Sequence, residues 1–316
     1  GVGSLAARMA SSVYMTLCAI LVGGAFGSML FWAVNRPAHQ TTMITLQVVQ
    51  MFVASMCHVG LTAIARASVL DILHHYALRW GFHRRWAARC NKSAASALAL
   101  GLALAVGCVY AALVQTKLTG PRVGLMSLVA LIMCWALLLL FVVVGAVVDF
   151  CSHAVDAYAM EMVMTEDVQG LVATFNVLAA VLRRAGFLLE LPLLLVAQAD
   201  FVMLGMVAVH IVNGADITQE DRILIAGVGL FVVLSLVLFN FAATVNIKMN
   251  RLPALLAAVN FGEQVDHEKG FVVQNMLTED AGLKMYNVKI NRVAIVKVTY
   301  YGAAVAGVMV PRLLGS

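Results

Sequence analysis

The chain has 316 residues, 62% of them hydrophobic and 12% charged, with a formal net charge of +5. Soluble globular domains carry about 25% charged residues, so this composition excludes an ordinary soluble enzyme or nucleic-acid-binding domain and points to a polytopic membrane protein. The apolar runs are long and continuous rather than alternating, which excludes a barrel and leaves an all-α membrane fold.

Seven candidate spans follow in chain order: about 11–34, 43–65, 94–115, 123–150, 186–213, 222–247 and 289–311. Each is near the ~20 residues that a helix needs to cross the hydrocarbon layer. The first is too long for a signal peptide and no small-residue cleavage site follows it, so it reads as a span. Positive charge falls on alternate sides. The segment between spans two and three, read as a loop, carries Arg66, Arg79, Arg84, Arg85, Arg89 and Lys92. Arg183 and Arg184 lie between spans four and five. Lys248, Arg251, Lys269 and Lys284 lie between spans six and seven, with Lys289, Arg292 and Lys297 at the base of span seven. The opposite loops hold only Arg36, then Lys117 and Arg122, then Arg222. The positive-inside rule places the N-terminus in the cytosol and the C-terminus outside. The single Asn91-Lys92-Ser93 sequon is then cytosolic and bare. A G-protein-coupled receptor has the opposite orientation, and its Asp-Arg-Tyr and Asn-Pro-x-x-Tyr signatures are absent here.

Two segments are too polar for lipid yet helical in pattern. Between Val148 and Arg184 apolar residues recur at Leu171, Val172, Phe175, Val177, Leu178, Val181 and Leu182. Span four, or a second helix, therefore continues outside the membrane. Between Pro253 and Thr278 a short amphipathic helix is expected, with Phe271, Val272, Met276 and Leu277 as its apolar face. Asp280-Ala281-Gly282 breaks it, and the final helix is expected to begin near Lys289. No internal repeat divides the chain, so 1–316 reads as one integral membrane domain.

Intramembrane ionisable groups are candidate functional groups. Asp149 is expected to be wet at the end of span four, and Glu190 precedes Pro192, a candidate kink. Asp200 sits mid-span in LLLVAQADFVMLGM, either lining a hydrated pocket or hydrogen-bonded as a structural group. His58 and His210 also fall in or near spans. His74, His75 and His83 sit in the basic segment and read as solvated and headgroup-facing. The six cysteines suggest buried thiols, not an outer disulfide framework. Asp149-x-Cys151-x-His153 offers two metal ligands on one helical face without a third, so no metal site is assigned. No catalytic motif is present, and neither catalytic residues nor cofactors are expected.

The closing residues carry a family likeness. Phe271-Val272, then Gly282-x-Lys284-x-Tyr286-x-Val288-x-Ile290 and Thr299-Tyr300, with a split last span, seven spans and a long cytosolic segment after span four, resemble the insect gustatory and odorant receptor superfamily, including gustatory-receptor-like proteins of other eukaryotes. The likeness is strongest over 250–316 and topological over 1–122. Where the family signature continues with Gln-Phe, this chain has Ala306-Gly307. The resemblance implies a chemosensory, ligand-gated cation channel in the plasma membrane. It implies a homotetramer with small-molecule ligands, inorganic ions and membrane lipids as its other partners.

On that likeness the cytosolic anchor covers about 150–185 and 250–288, including Phe271, Val272, Met276, Gly282, Lys284 and Tyr286, and the pore helix covers 289–311. Thr299, Ala303, Ala306 and Val310 stand at i, i+4, i+7 and i+11 and would line the pore, with Val310 or Met309 as an apolar gate ring. Small residues on such a face serve helix packing equally well. The ligand pocket, formed by the outer halves of spans within 11–247, would draw on Trp32, Gln47, Tyr110, Gln115, Met126, Asp200, His210 and Phe231. Lys289, Arg292 and Lys297 either snorkel at the inner interface or, if they line the pore, favour anions. Two readings from other classes stay open: a secondary transporter using Asp200 and Glu190, and a non-conducting scaffold of the same fold.

Overall fold

The computed structural model describes residues 69–115, 121–165, 167–212, 219–259, 266–278, 282–285, 288–293 and 295–297. They form a helical bundle. In order these are α1 (Val69–Arg79), α2 (His83–Gln115), α3 (Pro121–Met164), α4 (Val168–Val212), α5 (Gln219–Ala258) and α6 (Asp266–Thr278). A hairpin of two short strands follows, β1 (Lys284–Met285) and β2 (Val288–Lys289). Helical turns resume at Arg292. Three stretches, Phe141–Met164, Val168–Gly205 and Phe231–Ala258, are long and apolar enough to cross a membrane. The protein is an integral membrane protein.

The basic segment between spans two and three is helical, not a loop. α1 ends in a left-handed turn at Gly81 (φ 71°). There the Gly81 N–H donates to the Leu78 carbonyl and the Phe82 N–H to the Ala77 carbonyl, each at 3.1 Å. That paired arrangement is the Schellman stop, which only glycine reaches without strain. α2 starts directly afterwards, so Arg84, Arg85, Arg89 and Lys92 ride on its first turns. Their positive charge marks a surface face; it does not oppose a helix of Ala, Arg and Leu.

α3 is the centre of the bundle and touches α1, α2, α4 and α5. It runs past the apolar span to Met164, and α4 begins as a separate helix at Val168, which settles the choice left open by the sequence. Asp167 starts α4 by accepting a hydrogen bond from the Gly170 N–H at 3.0 Å, an N-cap satisfying one of the orphan amides. The periodic residues Leu171, Phe175, Leu178, Val181 and Leu182 are all buried. Across from them Phe150, Tyr158 and Met162 of α3 are fully enclosed, and the Tyr158 hydroxyl donates to the Leu171 carbonyl at 3.1 Å. Burying a large aromatic or aliphatic side chain contributes roughly 1.5–3 kcal/mol, and among the described residues the largest fully buried side chains all lie on α3 and α4. Further along α4 and α5, Phe187, Leu191, Phe201, Leu204, Val233, Val237 and Phe241 face outward, as lipid-facing side chains do.

α4 stays helical through the buried Pro192, and α5 through the buried Pro253. The Lys269 ammonium donates to the Val259 carbonyl just beyond the end of α5. α6 packs on α4 and α5. Its expected apolar face is split: Val272 and Met276 are buried, but Phe271 and Leu277 are 70% and 69% exposed. Neighbouring residues lie about 100° apart on a helix, so Val272 and Met276 turn inward and their neighbours outward. The final helix does not begin at Lys289, because Val288–Lys289 pairs with Lys284–Met285 in register Lys284↔Lys289 and Met285↔Val288.

Candidate functional site

Three polar constellations interrupt the apolar bundle. The first is a joint at the hairpin that precedes Arg292. Asn246 lies in an apolar stretch of α5 and is 4% exposed. Its amide nitrogen donates to the Leu283 carbonyl at 2.8 Å and the Ile290 carbonyl at 2.9 Å, and its oxygen accepts from the Leu283 N–H at 2.8 Å. One side chain thus satisfies both edges of the hairpin that precedes the helical turns at Arg292. Gly282 stands against it with φ +148°, a conformation open to glycine. A Cβ there would sit 2.6 Å from the Asn246 Oδ1, and a Cβ at Gly186 of α4 would sit 3.1 Å from the Gly282 carbonyl. Backbone and side chains from α4, α5 and the hairpin therefore meet with no spare volume. Gly282 and Leu283 are buried at this joint, and Lys284 is half-buried.

The second constellation joins α2, α3 and α5. Arg89 pairs with Asp149 at 3.0 Å, and His153 lies 3.6 Å from the other oxygen of Asp149. One turn further, the Lys248 ammonium donates to Ser152 at 2.8 Å and pairs with Asp156 at 2.6 Å. The Trp86 indole donates to the Ala146 carbonyl at 2.9 Å. Asp149 is thus half-buried and ion-paired, not simply wet. Cys90 is half-buried here; burial first, and the nearby Asp149 carboxylate second, push its thiol above the ordinary cysteine range. Among the described residues, no group of three His, Cys, Asp or Glu is arranged to hold a metal.

The third lies mid-bundle. The one hydrogen of the Ser235 hydroxyl of α5 is shared between the Phe231 carbonyl at 2.9 Å and the Asp200 carboxylate of α4 at 3.2 Å. Phe231 is buried edge-on against Phe141, with ring centroids 5.6 Å apart. Two of the anticipated pocket residues, Asp200 and Phe231, are therefore brought together across Ser235. Tyr110, Gln115, Met126 and His210 are helical positions near the end of the bundle where α2 runs into α3 and α4 into α5, and their side chains lie outside the described set. Trp32, Gln47 and Tyr286 lie outside the described residues, as do Thr299, Ala303, Ala306, Met309 and Val310. Arg292 and Lys297 are exposed, and Lys289 is half-buried. Glu190 is half-buried in α4.

Asn246, Ser235 and Gly186 are not among the residues that the sequence pattern marks as functional. For Asn246 a signal existed: an amide flanked by Val245 and Ile247, eleven positions past Ser235 on the same helical face. Among the described residues, Ser235 and Asn246 are the two buried polar side chains.

No protein-family model matches the sequence, and no curated protein is similar to it in sequence. The fold has a counterpart among solved structures. The insect olfactory receptor OR5 from Machilis hrabei superposes with a TM-score of 0.63 at 14% identity, covering 96% of this chain and 88% of that one. The backbone fold of this chain is therefore like that of an insect olfactory receptor.

Proposed function

We propose that this chain is the subunit of a homotetrameric, ligand-gated channel that serves chemosensing and passes cations. The observation that carries this reading is the joint at Asn246. A last helix that lines a pore needs a base fixed to the rest of the subunit, and the hairpin before Arg292 is fixed by three buried hydrogen bonds to α5 and by glycine contact with α4. The olfactory-receptor fold supports the same assignment. In this reading 289–311 contains the pore helix, Thr299, Ala303 and Ala306 line it, and Val310 with Met309 forms the outer gate. α6 and the end of α3 form the cytosolic anchor. Phe271, Leu277, Met160, Val163 and Met164 are all exposed in the single chain, and neighbouring subunits would cover them. In this reading the basic segments face the cytosol, which would leave the N-terminus inside and the C-terminus outside, and the receptor role would place the protein in the plasma membrane.

Ligand would bind in the outer half, with Asp200, Phe231 and Ser235 at the floor of the pocket and Trp32, Gln47, Tyr110, Gln115, Met126 and His210 around it. A ligand that favours one α4–α5 arrangement shifts the population of open pores by its differential affinity for the two states. The Asp200–Ser235 bond also suits a second reading, a transporter in which Asp200 carries the coupling proton.

One experiment separates these readings. The purified protein is imaged and then reconstituted for current recording. A four-fold particle that conducts, with larger basal current in Val310→Ala and reversal potentials following the cation gradient, supports the channel. A monomer or two-fold dimer with uptake abolished by Asp200→Asn establishes the transporter instead. Reversal potentials that follow chloride would assign Lys289, Arg292 and Lys297 to the pore wall.

A further inference from the structure

The first turns of α2 carry a basic face that the fold turns outward. Arg84, Arg85, Arg89 and Lys92 are exposed, as is Arg79 at the end of α1. Arg85, Arg89 and Lys92 stand at i, i+4 and i+7, so they form one stripe along the helix. Arg89 is bound to Asp149 and is nevertheless 63% exposed. The other two acids at this end of α3, Asp156 and Glu161, are engaged by Lys248 and by the Thr174 hydroxyl of α4. The stripe therefore keeps a net positive charge.

The stripe is also held rigidly. Phe82 and Trp86, which alternate with the cations, are buried, and each ring lies 5.5 Å from Phe150 of α3. The Trp86 indole bond to Ala146 fixes the rotation of α2, so the cations cannot turn inward.

Its position indicates what it meets. From Ser93 to Gln115 α2 has no charged residue, so the stripe ends where the helix enters hydrocarbon. Arginine and lysine at that depth sit among lipid phosphates. Beside them α1 turns Ile72 and Leu78 outward and keeps Tyr76 and Trp80 half-buried. Cationic, aliphatic and aromatic side chains together make the composition of a helix lying in the headgroup layer. A soluble acidic partner would pair with the cations but would leave Ile72 and Leu78 in water.

We propose that α1 and the exposed basic stripe of α2 form a docking surface for the headgroups of anionic phospholipids. This surface is independent of whether the chain conducts ions.

The test uses the full chain in phosphatidylcholine vesicles doped with spin-labelled phosphatidylserine or spin-labelled phosphatidylcholine. The expected result is a higher association of the anionic label with the protein. Each basic residue near an anionic surface is worth about fivefold in affinity. The triple variant Arg84→Gln/Arg85→Gln/Lys92→Gln is expected to lose most of the preference, whereas Arg84→Lys/Arg85→Lys keeps it, because charge is what the lipid reads. Equal association of the two labels with the native protein overturns the proposal. So does a triple variant that keeps the preference, or a lysine variant that loses it as fully as the glutamine one. Abolition of the preference by inorganic phosphate at matched ionic strength would assign the stripe to a soluble anion and overturn it as well.

Discussion

Replacing Asn246 with alanine tests the joint directly. The substitution removes three hydrogen bonds, but they are not equal. The Leu283 carbonyl also accepts from the Ile290 N–H at 3.1 Å, so it keeps one partner. The Leu283 N–H and the Ile290 carbonyl, by contrast, lose their Asn246 partner inside a buried site. Leaving a buried donor or acceptor unsatisfied costs about 1–3 kcal/mol each, so the hairpin should lose roughly 2–6 kcal/mol of local stability. At about tenfold per 1.4 kcal/mol, amide exchange at Ile290 should accelerate by ~30-fold or more. The α3–α4 core around Tyr158 does not touch this site and should keep its protection. Hydrogen exchange of the detergent-solubilised protein, read by mass spectrometry across 282–297 and across 150–180, measures both. An exchange rate at 282–290 within threefold of the native protein would refute the reasoning. So would an equal loss over 150–180, since that would mean that Asn246 supports the whole bundle and not the joint.

Gly282→Ala should be as damaging as Asn246→Ala, because it combines a left-handed-region φ with a 2.6 Å clash against Asn246; its thermal melt should fall while Gly81→Ala, with no atom within 4 Å of its Cβ, pays only the backbone strain of about 1–2 kcal/mol. Tyr158→Phe should lose about 1 kcal/mol, the worth of one buried hydrogen bond, while Tyr158→Ala should lose ~3–5 kcal/mol to an unfilled cavity; near-equal losses in denaturation would mean that the site collapses around the gap. Cys90 should react slowly with maleimide at neutral pH, because its raised pKa leaves less thiolate than an ordinary cysteine has, and Asp149→Asn should speed the reaction by removing the neighbouring negative charge; labelling of the native protein as fast as a free thiol would contradict this placement.

What the sequence revealed follows from the range of the forces involved. The apolar runs of α3, α4 and α5 and the outward extension of α3–α4 were legible because a helical period of buried residues is local, and Leu171, Phe175, Leu178 and Leu182 repeat it without a break. The charge of the stretch before Lys92 suggests a loop, although charge only sorts residues to the surface. Gly81, following Arg79 and Trp80, was the stop signal that would have made it two helices. The hairpin was not legible. Two strands of two residues each carry no period, and the side chain that holds them lies 37 and 44 positions earlier. Asp200 was found because a carboxylate in an apolar run is conspicuous. Its partner Ser235 was not, because serine is unremarkable in a membrane helix.

Among the described residues, the two buried polar side chains of α5 link α4 to the hairpin before Arg292. Ser235 and Asn246 stand eleven residues apart on one face of one helix, ~16 Å along its axis. Ser235 is bonded to Asp200 of α4, and Asn246 is bonded to the hairpin before Arg292. Between them Leu238 and Ala242 are buried on the same face, so α5 is packed along the whole interval. A packed helix moves as a body, and a change in its register against α4 at Ser235 must displace Asn246 as well. Sites more than about 7–10 Å apart that share no partner are normally additive within ~0.3–0.5 kcal/mol. If α5 transmits strain as a rod, the pair Ser235→Ala and Asn246→Ala should depart from additivity by about 1 kcal/mol in hairpin stability, measured as exchange at Ile290 in both single variants and the double. Strict additivity would mean that the two polar contacts are separate structural devices, and any coupling between α4 and the hairpin would then have to pass through the contact of Gly186 with the Gly282 carbonyl.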